Sequence, residues 1–196
     1  MRVLVVFAHP LADSFAATLH RTVVETLRRG GHEVDDCDLY TEGFDPVLTA
    51  AERRVYNTPT PELSAVMPYV DRLRRAEALV LCFPTWWYGL PAILKGWFDR
   101  VWAPGVAFEL PTGGGAILPA LRNIRKFAVV TTYGSPWWLV KVVLRDPVRA
   151  VLFGGLRRLC ARGADSVFLA LYNIDAADRA RCSHFLARVE RRFADF

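Results

Sequence analysis

Three short runs constrain this chain more than anything else in it. Residues 3–7 (VLVVF), 78–83 (ALVLCF) and 127–132 (FAVVTT) are apolar at nearly every position and rich in β-branched residues. A strand packed on one face alternates apolar with polar, whereas a strand covered on both faces has no reason to. These runs read as inner strands of a parallel sheet with helices on either side. Residues 33–39 and 166–171 read as two further strands. Helical periodicities lie between them. Ser14 is suited to cap a helix carried by Leu19, Val23, Val24 and Leu27, which Gly30 and Gly31 end in a left-handed cap. Residues 49–57 form a short charged helix, and Pro61 opens another carried by Leu63, Val66, Val70 and Leu73. A helix covers 91–101 and a helical region covers 140–162. Asp175 opens the last helix, with Phe185, Leu186, Val189 and Phe193 on one face. Strand and helix alternate throughout, which predicts an α/β architecture with a doubly wound parallel sheet.

The 196 residues suit a single domain spanning 1–196, and 53% hydrophobic residues supply a sizeable core. The longest irregular stretch, 104–119, contains Gly113, Gly114 and Gly115 but gives no reason to divide the chain. No uncharged apolar run reaches the roughly 18 residues of a membrane span. The opening MRVLVVFAHP is too short for an export signal and no small-residue cleavage site follows. The four cysteines, Cys37, Cys82, Cys160 and Cys182, form no CxxC pair and match no zinc spacing. They read as reduced thiols of a cytoplasmic protein without a metal site. The net charge is +5, with arginines crowding the last third. Those arginines alternate with acidic or apolar residues, as on solvated helix faces, so no nucleic-acid partner is expected. A basic surface does suit anionic cofactors.

In an open parallel sheet, ligands bind beyond the carboxyl ends of the strands. Three loops lie there. The first, AHPLADSFAATLH, leads into a helix whose free N–H groups can hold an anion. His9, the Ser14 hydroxyl and the Phe15 N–H are the candidates, and Ala16 follows in the same turn. A plainer reading leaves His9 a turn residue and Ser14 only a cap. Neither GxGxxG nor GxxxxGK is present, which excludes an ordinary dinucleotide or nucleoside-triphosphate loop. In the second loop, Pro84 and Thr85 are followed by Trp86, Trp87 and Tyr88, three aromatics that cannot all enter one core. A partly exposed aromatic wall suits a flat tricyclic ring. Trp97 and Phe98, on the following helix, read as core or dimer contacts. In the third loop, Thr131, Thr132, Tyr133 and Gly134 place small hydroxyl groups and a tight turn at a strand end, followed by Trp137 and Trp138. The plainer reading there is a packed loop with an apolar patch that meets a partner subunit or a membrane surface.

These segments resemble the NAD(P)H:quinone oxidoreductases of the flavodoxin-like superfamily, over residues 1–172 and loosely to the end. The most specific part is residues 83–101, FPTWWYGLPAILKGWFDRV, supported by AHPLADSF and TTYG. The resemblance implies a five-stranded sheet of order 2-1-3-4-5 and a flavin, FAD or alternatively FMN, with NADH or NADPH as hydride donor. It implies that His9, Ser14 and Phe15 hold the flavin phosphate. It places Pro84 to Tyr88 against the isoalloxazine and Thr131 to Gly134 at its pyrimidine edge. It further implies a homodimer with Phe108 presented to the partner's substrate pocket, and Trp87 and Tyr88 beside a small planar acceptor. The expected activity is two-electron, ping-pong hydride transfer to a quinone or similar molecule. Two departures stand out. Ala16 occupies a position where the family often has Asn or Cys. Leu139 and Arg145 fall where better-known members place a Tyr and a His. Arg145 is then the candidate cation for charge near the flavin N1, although it cannot act as a general acid near neutral pH. Its plainer reading is a pair with Asp146 or a solvated helix face. A second functional expectation is a flavin-binding regulatory subunit of a potassium efflux or other membrane system, docking as a peripheral partner through Trp137, Trp138 and the basic last third. A one-electron carrier is expected to be acidic, unlike this chain.

Overall fold

The computed structural model describes residues 1–58, 61–111 and 115–196. Gly113 and Gly114 of the long loop lie outside the described residues. Five parallel strands form the sheet: β1 (Arg2–Phe7), β2 (Glu33–Asp38), β3 (Ala78–Pro84), β6 (Lys126–Thr132) and β7 (Asp165–Leu171), in the order β2-β1-β3-β6-β7. That is the expected 2-1-3-4-5 order once a small antiparallel pair within the long loop, β4 (Phe108–Glu109) and β5 (Leu118–Pro119), is set aside.

The two-faced apolar reading of the inner strands follows from the packing. Every residue of β3 is buried. Leu79, Leu81 and Phe83 point to one side with Leu4, Val6, Phe127 and Val129. Val80 and Cys82 point to the other with Val3, Val5, Ala128 and Val130. The second face is covered by α1 (Phe15–Arg29) and α6 (Arg179–Ala194) through Leu19, Val23, Leu27, Phe185, Val189 and Phe193. The first is covered by α3 (Met67–Arg75), α4 (Ala92–Val101) and the segment 139–159. Burying each such Val, Leu or Phe contributes about 1.5–3 kcal/mol. Helix α4 approaches so closely that a Cβ on Gly96 would sit 2.2 Å from the carbonyl oxygen of Pro46. Only glycine fits there.

The edge strand β2 is polar for a different reason. It reads EVDDCD and is held by ion pairs from its neighbours: Arg72 reaches Asp35 at 2.7 Å and Glu42 at 2.8 Å, and His20 reaches Asp36 at 2.7 Å while stacking on Phe7. These partners hold the Arg72 guanidinium above its ordinary range despite its burial.

Several local expectations are corrected. The left-handed residue after α1 is Gly31 (φ +76°), whereas Gly30 has φ −75°. The charged helix is α2 (Ala50–Val55), shorter than 49–57, with Thr49 and Glu52 forming a capping box. Pro61 does not open a helix; a 3₁₀ turn over Ser64–Val66 leads into α3. Asp175 lies in a 3₁₀ turn after left-handed Asn173, and Asp178 caps α6 by accepting from the Arg181 N–H at 2.8 Å. The region 140–162 is not one helix. It runs as a π-helical turn Leu139–Val143, a break at Arg145 and Asp146, α5 (Pro147–Arg149), a second π-helical stretch Ala150–Gly155 and a 3₁₀ turn Leu156–Leu159. Pro147 has no N–H to continue a helix, so the chain reverses just before it.

Candidate functional site

The chain crosses from β2 over β1 to β3, so the strand order switches beside β1, and the loops after β1, β3 and β6 surround the carboxyl edge at that place. In the first loop Ser14 Oγ donates to the Leu11 carbonyl at 2.8 Å and accepts from the Ala17 N–H at 3.1 Å. The hydroxyl is thus engaged as a helix cap. Among the described residues, the Phe15 and Ala16 N–H groups meet no protein acceptor, as the first turn of a helix requires. His9 Nδ1 lies 3.0 Å from the Leu11 N–H and 3.3 Å from the Leu11 carbonyl oxygen, so the ring is held against its own turn. Ala16 is buried against the sheet.

Thr85 continues β3 through its N–H, which donates to the Thr132 carbonyl at 2.8 Å. The next four residues close a tight turn. The Trp86 N–H donates to the Gly89 carbonyl at 3.2 Å and the Gly89 N–H returns to Trp86 at 2.9 Å. Its two central residues, Trp87 (φ 50°) and Tyr88 (φ 58°), are both left-handed, the pattern of a type I′ turn, which normally takes Asn or Gly. Each aromatic there costs about 1–2 kcal/mol. In return Trp87 stands 97% exposed, and Trp86 and Tyr88 are each partly exposed. Trp86 also lies 5.7 Å from the His9 ring, joining this loop to the first.

The third loop is tied to the second twice: Thr85 Oγ1 and Thr131 Oγ1 lie 3.1 Å apart, and the Tyr88 hydroxyl and Ser135 Oγ lie 3.0 Å apart. Between the two loops is a cavity of about 210 Å³ lined by Thr85, Trp87, Tyr88, Tyr133, Gly134 and Ser135. Pro84, Thr131 and Thr132 are buried beneath it as strand ends. Phe108 lies apart, on β4, and does not line this cavity.

A buried ion pair supports the third loop. The Tyr133 hydroxyl donates to Asp146 Oδ1 at 2.9 Å, and Lys141 Nζ donates to Oδ2 at 2.5 Å. Asp146 also accepts from the Arg149 N–H, capping α5. The Tyr133 ring stacks on Tyr172 at 4.9 Å, and Lys141 sits over the Tyr172 and Phe168 rings. Burial, and then the Asp146 charge, push the Tyr133 hydroxyl far above the usual tyrosine range. It therefore serves as a fixed donor. The loop after β7 clamps the same segment, since the Ile174 N–H donates to the Tyr133 carbonyl and the Asn173 N–H to Ser135. Arg145 is exposed and left-handed (φ 57°), and its neighbour Asp146 is committed to Lys141 and Tyr133. Of the plainer alternatives for Arg145, the pair with Asp146 does not form and the exposed position does. Lys141, Ser135 and Tyr172, and Asp146 as the partner of Tyr133, were not anticipated. The one local signal was Asp146-Pro147, a turn- and cap-forming dipeptide.

A second cavity, of about 580 Å³, opens at the same sheet edge between Trp137, the end of β7 and α6, lined in part by Asp178, Arg181 and His184.

The family model described as flavodoxin-like fold matches residues 1–142. The chain belongs to this flavodoxin-like family. The match ends just before Arg145 and Asp146, so this flavodoxin-like chain carries its Tyr133–Asp146 support partly beyond it. The protein is 34% identical over 130 residues to the uncharacterized NAD(P)H oxidoreductase YcaK of Escherichia coli (strain K12), covering 66% of this chain and 64% of that one. It is 37% identical over 123 residues to NAD(P)H dehydrogenase (quinone) 1 of Cavia porcellus, covering 55% and 45%. The chain thus spans about half to two thirds of the length of these curated relatives. Among solved structures, the NAD(P)H:quinone oxidoreductase from Methanothermobacter marburgensis superposes with TM-score 0.85 at 28% identity, covering 100% of this chain and 98% of that one.

Proposed function

We propose that this protein binds a flavin at the carboxyl edge of its sheet and uses NADH or NADPH to reduce a quinone or similar planar acceptor by two electrons. The observation that carries the reading is the strained turn at Trp87 and Tyr88. It holds an aromatic wall open over a cavity whose other side is the third loop. The names of the relatives that the chain matches support the same reading.

The residues present fit a flavin. The unpaired Phe15 and Ala16 N–H groups, beside the His9 ring, suit an anionic phosphate at a helix start. Thr85, Trp87 and Tyr88 offer one wall, and Tyr133, Gly134 and Ser135 the other. The Asp178–Arg181 cavity at the same edge supports FAD over FMN, because it gives room and charge for a nucleotide half. When bound, the flavin supplies hydride acceptance from the nucleotide and its return to the acceptor. The protein's own part is positional. Lys141 and Asp146 hold the Tyr133 hydroxyl, and hence the third loop, in one geometry. Arg145, exposed and next in sequence to Asp146, is the candidate cation for electron-rich states of the ring. Flat apolar walls discriminate poorly among flat substrates, so a range of quinones and related acceptors is expected.

We also read the active form as a homodimer, with Phe108 of one copy serving the acceptor site of the other. The uncovered face of Trp87 supports this, since a second chain would shield it. Four free thiols support a reducing, cytoplasmic setting. No helix among the described residues is long and apolar enough to cross a membrane.

The test is an absorbance spectrum of the purified protein, with FAD or FMN added if none is retained. Bleaching of the flavin bands by NADH or NADPH and their recovery with a benzoquinone is the expected result. Failure to retain either flavin when it is supplied would overturn the reading.

A further inference from the structure

A second charged feature lies at the opposite end of the sheet. The segments entering β6 and β7 pair there: the Leu121 N–H donates to the Leu159 carbonyl and the Ala161 N–H to Ile124, both at 3.0 Å. Beside this pairing is a cavity of about 450 Å³. Its floor is Pro119, Cys160 and Ala161, and four arginines surround it: Arg122, Arg157, Arg158 and Arg162. Seven strand residues separate it from the flavin loops, about 20 Å at the usual rise per residue.

Two observations mark it as a built site rather than loose surface charge. First, its frame is fixed. Arg157 is held by donating to the Ala164 carbonyl at 3.1 Å and Arg122 by donating to Pro119 at 3.3 Å, which leaves the remaining N–H groups of both guanidiniums free. Second, the charge is uncompensated. The eight residues that line the cavity include no carboxylate. Among the described residues, none of the four around this cavity makes an ion pair.

We propose that this cavity binds a small organic phosphate, with its phosphate oxygens on Arg122, Arg157, Arg158 and Arg162 and its apolar body on Pro119, Cys160 and Ala161. Guanidiniums match phosphate oxygens in bidentate geometry. The volume falls in the usual range of about 300–1,000 Å³ for small-ligand sites. Burial pushes the Cys160 thiol up to about 12, so the floor stays neutral and adds no repelling charge. Binding there does not depend on the flavin reading.

Isothermal titration of the flavin-saturated protein with ADP and, separately, with inorganic pyrophosphate tests it. ADP binds and pyrophosphate binds more weakly. The exposed pair of substitutions Arg158→Glu and Arg162→Glu weakens ADP by about tenfold or more, the loss of one charge-assisted hydrogen bond being sufficient for that, with flavin content unchanged. If that variant melts early, Arg122→Gln with Arg158→Gln gives the same loss without adding negative charge. Absence of binding, or ADP binding that the substitutions leave untouched, would overturn the proposal. Equal affinity for ADP and pyrophosphate would overturn its organic half.

Discussion

The two ends of the sheet are built on opposite principles. At the carboxyl end the backbone is strained and the buried charge, Asp146, is satisfied. Trp87, Tyr88, Arg145 and Asp146 are all left-handed without being glycine, and Asp146 is buried with Lys141 and the Tyr133 hydroxyl as partners. At the amino end, around the cavity before β6 and β7, the backbone pairing is ordinary and the arginines have no carboxylate partner among the described residues. The segments before β6 and β7 pair through ordinary main-chain bonds, while four arginines face a cavity without a carboxylate. Strain held in place by a network preorganises a surface for a flat ring. Free charge on a rigid frame suits an anion that can come and go. One sheet offers both because its strands fix only the distance between its ends.

The largest expected effect tests the carboxyl end. Asp146→Ala removes the acceptor of Tyr133, the cap of α5 and the partner of Lys141. It should cost about 3 kcal/mol in equilibrium unfolding and loosen flavin binding in a fluorescence titration. Equal stability would show that the network carries no strain. Gly96→Ala sits between the two ends and should destabilise by about 3 kcal/mol, because the new Cβ meets the Pro46 backbone. Loss of flavin and of ADP binding together, in step with thermal unfolding, is the expected pattern. A loss confined to one end would show that the ends unfold separately. Trp87→Gly should have the opposite sign, gaining about 1 kcal/mol of stability as left-handed strain is relieved, while slowing quinone turnover.

The smallest effect is at the amino end. Burial, and then the positive N-terminus and Lys126, hold the His32 imidazole below its ordinary value. The folded state therefore binds its proton less readily than the unfolded state does. Stability from this group is complete above the ordinary histidine range and declines as pH falls through about 6.5 toward the lowered value. His32→Gln should flatten that part of a pH series of melting temperatures. An unchanged slope would remove His32 from the excess positive charge at this end.

Much of the fold was readable because burial on both faces of a strand leaves a local mark. The runs at 3–7, 78–83 and 127–132 could be nothing but inner strands, and the three aromatics after Pro84 had to include exposed ones. Helix ends were read less well. Pro61 and Asp175 are plausible starters, but the helices begin where packing on the sheet begins, at Met67 and Arg179. Ser14 was readable as a helix cap, and its hydroxyl accepts from the Ala17 N–H at the start of α1.

What the sequence alone determined is the inner strands, their alternation with helices along the chain, and the residues of the loops at their carboxyl ends, since each follows from residues adjacent in the chain. Only the tertiary structure decided that Asp146 turns to Tyr133 rather than to Arg145. It also brought Arg122 beside Arg157, Arg158 and Arg162. The arginines are joined by pairing of the segments before β6 and β7, and Asp146 meets Tyr133 through the turn that follows Leu139–Val143; no local pattern encodes either meeting.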